Sequence, residues 1–513
     1  MYPAVFLMYF ISAAVILLAS LALIVQVSLP YNKTGIPSLN LPAQRLKVAI
    51  LLLDLLCSGT VTHSGEILTP GKSHGEKPDR FSLNDRAIIY IYIYYNTAKY
   101  NDILLYYVTP PHYRCSHSDL TRVLVGLQAV GTHVTRPVDE LILENNHLPS
   151  LPGNTFSALR VVRLMLRDNG LERVASSWLA GLEDTLLEVF VVEPRLRSLP
   201  ADSLEQLRGL EAVTLQGGAI KRLPRFSGLP RLRYVHIQSP ALVELSPLGF
   251  KALGDLEQLH VAFSPHLTRL EGGFLQDLPR LRMLNVTHCG LTWIHPRALA
   301  TLPALKELSL VGNRLADAGM VGRAARELPA LALLKLDDNH FDRLGEASFV
   351  DMPSLREITL AGNRIAELQR GAFDRLPALR KLDLSRNRVR RIHPEAFLQQ
   401  ASTLEELWLT ANSIDHVAES RALLDALPRL RYLDLSYNYI EELPFGAFRG
   451  HPTLERLHLD HNRVQHIQRE AFTAMPALRE LRLRNNSLSS FVDGPFWNLP
   501  ALKVPQMCSV SSY

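Results

Sequence analysis

From residue 138 to the end of the chain, apolar residues recur in one frame about every 24 residues, as L-x-x-L-x-L-x-x-N-x-L-x-x-L. The clearest copies are LKELSLVGNRL (Leu305 to Leu315), LREITLAGNRI (Leu355 to Ile365), LRKLDLSRNRV (Leu379 to Val389) and LRYLDLSYNYI (Leu430 to Ile440). Starts fall at Val138, Val161, Leu186, Leu210, Leu232, Leu256, Leu281, Leu305, Leu331, Leu355, Leu379, Leu404, Leu430, Leu454 and Leu478, fifteen copies spaced by 22 to 26 residues. A unit this short cannot bury its own apolar face, so the copies must stack into a solenoid with one continuous core.

Each position then acquires a role. Positions 1, 4, 6, 11 and 14 fill the interior, and positions 3 to 5 form a short strand. Stacked strands make a parallel sheet with about 4.8 Å between neighbours, on the order of 70 Å along the arc for fifteen. Side chains at positions 2, 3, 5 and 7 pave the concave face, the binding surface of such folds. Asparagine at position 9 (Asn146, Asn169, Asn313, Asn339, Asn363, Asn387, Asn412, Asn438, Asn462, Asn486) offers buried amides to loop N–H and C=O groups that are costly to leave unpaired. Five successive copies replace it with Pro194, Gly218, Pro240, Ser264 and Cys289, which predicts an irregular, looser arc between about 186 and 304.

The region ahead of the repeat reads differently. Residues 1–32 carry no charge, and Phe6 to Val27 is a 22-residue apolar run, long enough for a membrane helix or signal anchor. A cleaved signal peptide is the alternative. Arg45 and Lys47 precede a second apolar run, Val48 to Cys57, laid out like a signal peptide in an unusual place. Lys33, Arg45 and Lys47 favour a cytoplasmic flank, whereas sequons at Asn32, Asn285 and Asn485 favour an outside array, the reading adopted here. Residues 33–137 form a linker or cap remnant. They contain the aromatic tract Ile88 to Val108, open to strand pairing, an interfacial role or an origin outside the repeat. The array spans 138–502. Leu502 begins a further copy that Pro505 interrupts, so a shortened chain is expected, and 503–513 is a tail.

The 513 residues hold 55 basic and 50 acidic side chains, net +5, with the signs interspersed. Without an aromatic-basic recognition motif, no nucleic-acid partner is expected. The four cysteines, Cys57, Cys115, Cys289 and Cys508, form no CxxC pair, so neither a zinc site nor any other metal or cofactor is expected. Cys289 reads as a structural filler. Metalloprotease, nucleophile-elbow, phosphate-loop, dinucleotide and calcium-loop signatures are all missing, so the chain reads as a binder and not an enzyme.

A phenylalanine recurs beyond position 14 (Phe156, Phe250, Phe349, Phe373, Phe397, Phe448, Phe472, Phe496), often followed by Leu-Pro or Met-Pro. With that feature the array resembles the 24-residue leucine-rich repeats of extracellular animal proteins, and most resembles insect surface and matrix members of the chaoptin and artichoke sort. The resemblance implies an α/β-type repeat solenoid: a curved horseshoe with a parallel concave sheet and an irregular or short-helical convex side. It also implies cysteine-rich caps, of which only Cys115 gives a hint.

Position 5 reads, in order, Ile142, Met165, Phe190, Thr214, His236, His260, Asn285, Ser309, Lys335, Thr359, Asp383, Trp408, Asp434, His458 and Arg482. Trp408, between Asp383 and Asp434 and with Tyr432 and Tyr437 near, is the leading partner-binding candidate, because exposed Trp and Tyr on a rigid sheet are typical hot-spot residues. His236 and His260 are expected as neighbours without a third metal ligand. A ridge of Arg314, His340, Arg364 and Arg388 at position 10, joined by Arg386, Arg390 and Arg391, could hold a sulfated glycan or simply be a solvated face. Asn285 and Asn485 are candidate N-glycosylation sites. The functional expectation is a non-enzymatic, membrane-tethered or secreted adhesion-type protein that binds an extracellular or cell-surface protein through its concave face. The ligand-binding ectodomain of a signalling receptor and an intracellular scaffold are the alternatives.

Overall fold

The computed structural model describes residues 137–503 except 247–248, 276, 394, 398–402, 418–426, 489, 492–495 and 497. It also describes residues 124 and 127 and the short strands Ile88–Ile91, Leu105–Val108 and His112–Cys115. The chain divides into two compact units, Met1–Leu83 and Asn84–Tyr513, and every described residue belongs to the second. The apolar runs at 6–27 and 48–57, the Asn32 sequon and the tail after 503 lie outside the described residues. Among the described residues, no helix is long and apolar enough to cross a membrane.

Sixteen strands form one parallel sheet in chain order. Fifteen of them are the fifteen copies, and the sixteenth, His112–Cys115, pairs in parallel with Val138–Glu144 ahead of the first copy. The aromatic tract pairs with itself, Ile88–Ile91 running antiparallel to Leu105–Val108. Beneath the sheet the repeat's apolar positions form one core cluster from Leu127 to Leu483. Within the copy that starts at Leu305, for example, Leu305, Leu308, Leu310 and Leu315 are all fully buried. Each such leucine contributes about 2 kcal/mol on burial, which is why a single copy cannot stand alone and a stack can.

The recurring phenylalanines stack along the far side of this core. Phe349, Phe373 and Phe397 follow one another at 5.8 and 5.7 Å, and Phe448, Phe472 and Phe496 at 5.6 Å each. Away from the main sheet the copies are turns, bends and two-residue parallel strands, such as Phe349–Val350 beside Phe373–Asp374, with one described helix, Ala318–Ala325, where the Asp317 carboxylate accepts the Met320 N–H. A Cβ at Gly322 would collide with the Ser348 carbonyl, so the helix packs there by its bare backbone.

The asparagine amides explain how each strand ends. Asn363 Nδ2 donates to Leu360 O in its own copy (2.9 Å) and to Leu336 O in the preceding copy (3.0 Å). Its Oδ1 accepts the Phe341 N–H (3.2 Å). The same bond back to the position-6 carbonyl three residues earlier recurs at Asn313, Asn339, Asn387, Asn412, Asn438, Asn462 and Asn486. That bond turns the chain out of the sheet. All eight of these copies have strands of only three residues, as in Glu307–Ser309 and Glu357–Thr359.

The seven earlier copies behave otherwise, and here the expectation of a loose arc from 186 to 304 is corrected. Their strands run five to seven residues, from Val138–Glu144 to Met283–Thr287, and their core leucines stay buried. The break falls after Thr287 and groups the first two asparagine copies with the five that lack asparagine. Other groups take over the amide's work. The buried Glu193 carboxylate accepts from Asn169 N (3.0 Å), Asn169 Nδ2 (2.7 Å) and Leu171 N (3.1 Å). Ser239 Oγ donates to Ile220 O (2.8 Å), and Cys289 Sγ approaches Thr287 O at 3.4 Å. At Gly218 no side chain fits, because a Cβ would strike the Pro194 carbonyl. Burial pushes the Glu193 carboxyl up, against the hydrogen bonds from Asn169 and Leu171, and pushes the Cys289 thiol up to about 11.

Two outcomes follow for chemical denaturation. Replacing Glu193 with Ala strands two backbone N–H groups and should cost about 2–3 kcal/mol, whereas Glu193→Gln should cost less than half of that. Because its folded-state pKa is raised, any advantage of Glu over Gln should be lost as pH rises through that value. Cys289 should resist thiol reagents at pH 8 until the array is unfolded, and rapid labelling of the native protein would contradict its structural role.

Candidate protein-binding face

Register places the position-5 residues side by side in unbroken sequence. Thr359 pairs with Asp383, Asp383 with Trp408, Trp408 with Asp434, Asp434 with His458, and His458 with Arg482. Position 3 forms the adjoining column Lys381, Glu406, Tyr432, Arg456, Glu480. Both columns point away from the core because strand side chains alternate and positions 4 and 6 are buried.

Trp408 is half-buried, with its ring 5.1 Å from that of Tyr432 at 49°. The Lys381 ammonium stands 6.0 Å from its ring and 3.4 Å from Glu406. Tyr432 is only 9 % exposed and serves as the floor of the cluster. The Arg456 guanidinium covers it at 4.8 Å, and His458 meets it edge-on at 5.1 Å. The Tyr432 hydroxyl donates to Asp434 Oδ2 (3.1 Å) and meets His458 Nδ1 at 3.2 Å. His458, 7 % exposed, stands between two carboxylates, 3.6 Å from Asp434 and 3.4 Å from Glu480. Arg482 Nε in turn donates to Glu480 at 2.6 Å.

The electrostatics match this wiring. Burial pushes the Asp434 carboxyl up, but hydrogen bonds from His458 and Ser436 outweigh it and bring the group down to about 2. Burial, reinforced by the Asp434 charge, holds the Tyr432 phenol well above its usual range, so it remains a donor at all ordinary pH. At Glu480 burial acts upward, and the hydrogen bond and charge of Arg482 bring the carboxyl below its ordinary value. The result is a Trp platform on a buried, charged base with little freedom to rearrange.

Of the residues singled out from sequence, Asp383, Trp408, Tyr432 and Asp434 are brought together. Asp383 is held by the Ser385 N–H at 2.8 Å. Tyr437 belongs to another surface: it is 54 % exposed on the loop after its strand, and stacks on His461 at 4.1 Å and 10°. Arg456, His458 and Glu480 were missed. They follow Tyr432 and Asp434 in the two columns; alternation of charge along position 3 was the available signal for Arg456 and Glu480, and the place of His458 next to Asp434 in the position-5 column was the signal for it.

Elsewhere on the sheet, the His236 and His260 rings lie 6.1 Å apart, and burial holds both below the usual imidazole range. Asn285 Nδ2 is 2.9 Å from His260 Nδ1. Among the described residues no three metal-binding side chains converge. Asn285 thus sits half-buried mid-strand, whereas Asn485 is exposed, with Nδ2 3.0 Å from His461 Nε2. Along the loop, Arg386 pairs with Asp338 at 3.6 Å. Burial, with help from the charges of Arg364 and Arg314, lowers the pKa of His340 between them.

The described array is thus a parallel-sheet solenoid with a paved face. The leucine rich repeat family model matches residues 255–315, 353–402, 379–440, 402–464 and 452–504. The array is a leucine-rich-repeat solenoid. Mouse Podocan is 29% identical over 258 residues, covering 40% of this chain and 41% of Podocan. Rat leucine-rich repeat-containing G-protein coupled receptor 5 is 31% identical over 158 residues, covering 28% of this chain and 16% of the receptor. The chain therefore spans well under half the length of these relatives. A solved leucine-rich-repeat protein of Leptospira interrogans superposes with a TM-score of 0.53 at 22% identity, over 73% of this chain and 95% of its own, a likeness of fold alone.

The depressed carboxyl gives a pH test. A folded-state pKa near 2 against an ordinary 3.8 means Asp434 stabilises the fold above about pH 4 and loses that contribution as pH falls toward 2. The contribution is roughly 2 kcal/mol. Thermal melts of Asp434→Asn should be less stable than wild type at pH 6, and the two should converge near pH 2.

Proposed function

We propose that the chain is an extracellular, non-enzymatic binder that takes a protein partner on its concave face, centred on Trp408. The carrying observation is the placement of a half-exposed Trp ring on a base fixed by Tyr432, Asp434, His458 and Arg456. An aromatic anchor held rigid before binding loses little conformational freedom in the complex, the property that makes such residues hot spots. Lys381, Glu406, Arg456 and Glu480 surround the anchor with alternating charge, which suits recognition of a partner of mixed surface. The relatives support an outside location, since one of them is by name a receptor and the sequence match lies in the repeats. Within this reading, adhesion or matrix organisation of the chaoptin and artichoke sort is the finer proposal, with a receptor ectodomain as the second.

The secreted array, labelled and applied to cells or to a panel of purified ectodomains, should bind through this face. Trp408→Ala should weaken binding about thirtyfold, the effect of losing a hot-spot residue, while leaving the thermal midpoint within a few degrees of wild type. Undiminished binding by the folded Trp408→Ala protein would move the interface elsewhere.

A further inference from the structure

The loop that follows each strand carries a second surface, distinct from the concave columns. Position-10 backbone N–H groups donate to the preceding copy at Arg364, Arg388, Ser413, Tyr439 and Arg463, each at 2.9 to 3.0 Å, so these residues form one continuous column. Position 8 forms its companion, with Arg386, Ala411, Tyr437 and His461 likewise bonded copy to copy. The two columns flank the buried asparagines and face solvent. Neighbours along each are about 5 Å apart.

The columns are not uniform. Arg388, Arg390 and Arg391 line an open groove of about 380 Å³ together with Ala366, Glu367 and Ser413. Among the described residues, Arg314, Arg364, Arg388, Arg390 and Arg391 have no carboxylate within ion-pair distance, although ion pairs are frequent elsewhere on this chain. One copy past Ser413 the surface turns aromatic. Tyr439 is 45 % exposed, with the Arg463 guanidinium 4.7 Å over its ring, and Ser413 is its neighbour on the other side along the column. Tyr437 stands beside it with φ 58, a left-handed conformation that Gly312 and Gly362 occupy at the same place in other copies. In column order the small residues Ala411 and Ser413 fall between the guanidinium groups of Arg386 and Arg388 and the rings of Tyr437 and Tyr439, and this gap, continuous with the groove through Ser413, is the notch.

We propose that this notch binds a sulfated polysaccharide laid along the flank, with Arg388, Arg390 and Arg391 taking sulfate groups and Tyr439 packing against a sugar ring. Guanidinium forks match the oxygens of a sulfate as they match a phosphate, and unpaired ones need give up no internal partner to bind it. A flat aromatic wall offers nothing to an isolated anion but fits the apolar face of a pyranose. The column's regular spacing also suits a linear polymer with charges at regular intervals, and Arg364, His340 and Arg314 extend the track away from the notch. The inference is independent of the Trp408 reading, because the residues lie on a different face.

The test measures binding of the full chain to immobilised heparin, to chemically desulfated heparin and to polyglutamate. Heparin should be retained and both other probes should bind at least tenfold more weakly. Arg388→Ser with Arg391→Ser should weaken heparin binding at least tenfold, with circular dichroism and melting unchanged. Tyr439→Ala should weaken it severalfold, and Trp408→Ala should have no effect. Charge reversal at Arg388 and Arg391 is the stronger variant, and the serine pair guards against a folding defect. Equal binding of polyglutamate would identify an acidic-peptide surface and overturn the proposal. Heparin binding within twofold of wild type for the serine pair or for Tyr439→Ala would overturn it as well.

Discussion

A primary amide at the corner of each of the last eight copies sets the geometry on which the rest of that stretch is built. Its two N–H bonds run to the position-6 carbonyls of its own and the preceding copy, and its oxygen takes a backbone N–H from the same neighbour, as at Asn363. Left unsatisfied, those backbone groups would each cost on the order of 1–3 kcal/mol in a dry core. One side chain therefore does three things at once: it ends the strand, couples it to the copy before it, and turns the loop outward. The ladder bonds hold adjacent copies in register, as they do in the copies that lack the asparagine, and the amide adds a second tie at the corner on which the loop columns depend.

A structural consequence is rigidity at the face proposed to bind. Because Trp408 is locked in register between Asp383 and Asp434, its ring cannot slide relative to Tyr432 without breaking ladder hydrogen bonds on both sides. The polar base adds a second constraint. Tyr432 donates to Asp434, whose carboxyl is held down to about 2, and His458 packs against both, so the three side chains fix one another's positions. A surface of this kind recognises a fixed shape and does not mould itself to many partners.

Much of this was legible in the sequence, for a physical reason. The position-5 column, the buried leucines, the phenylalanine stack and the placing of Trp408 all follow from period alone, because stacked copies repeat one geometry. What period cannot show is substitution by a different chemistry at a shifted position. Glu193 performs the amide's work from position 8 while Pro194 occupies the expected slot, so the copy looks broken and is not. The lengths of the strands were hidden in the same way: they depend on one hydrogen bond back to position 6, which the letter N does not reveal at Asn146 or Asn169. Burial of Tyr432 was equally out of reach, since it arises from Arg456 and His458 in the next copy closing over its ring.

The same corner that unites the fold also divides its surface. At Asn387, Asn438 and Asn462 the buried position 9 lies between exposed residues at positions 8 and 10, so there the loop columns are set apart from the concave columns on the same backbone. At position 8 the chain adopts a left-handed conformation in most copies, at φ 47 to 70 from Phe263 through Asn485. For a residue other than glycine this costs about 1 kcal/mol or more, and Arg386, Tyr437 and His461 accept that cost where Gly312 and Gly362 avoid it. Strain retained at exposed, large side chains is not explained by the core, which would fold as well or better with glycine there. It is explained if those side chains are needed outside, on the flank proposed to take a polysaccharide, apart from the concave columns.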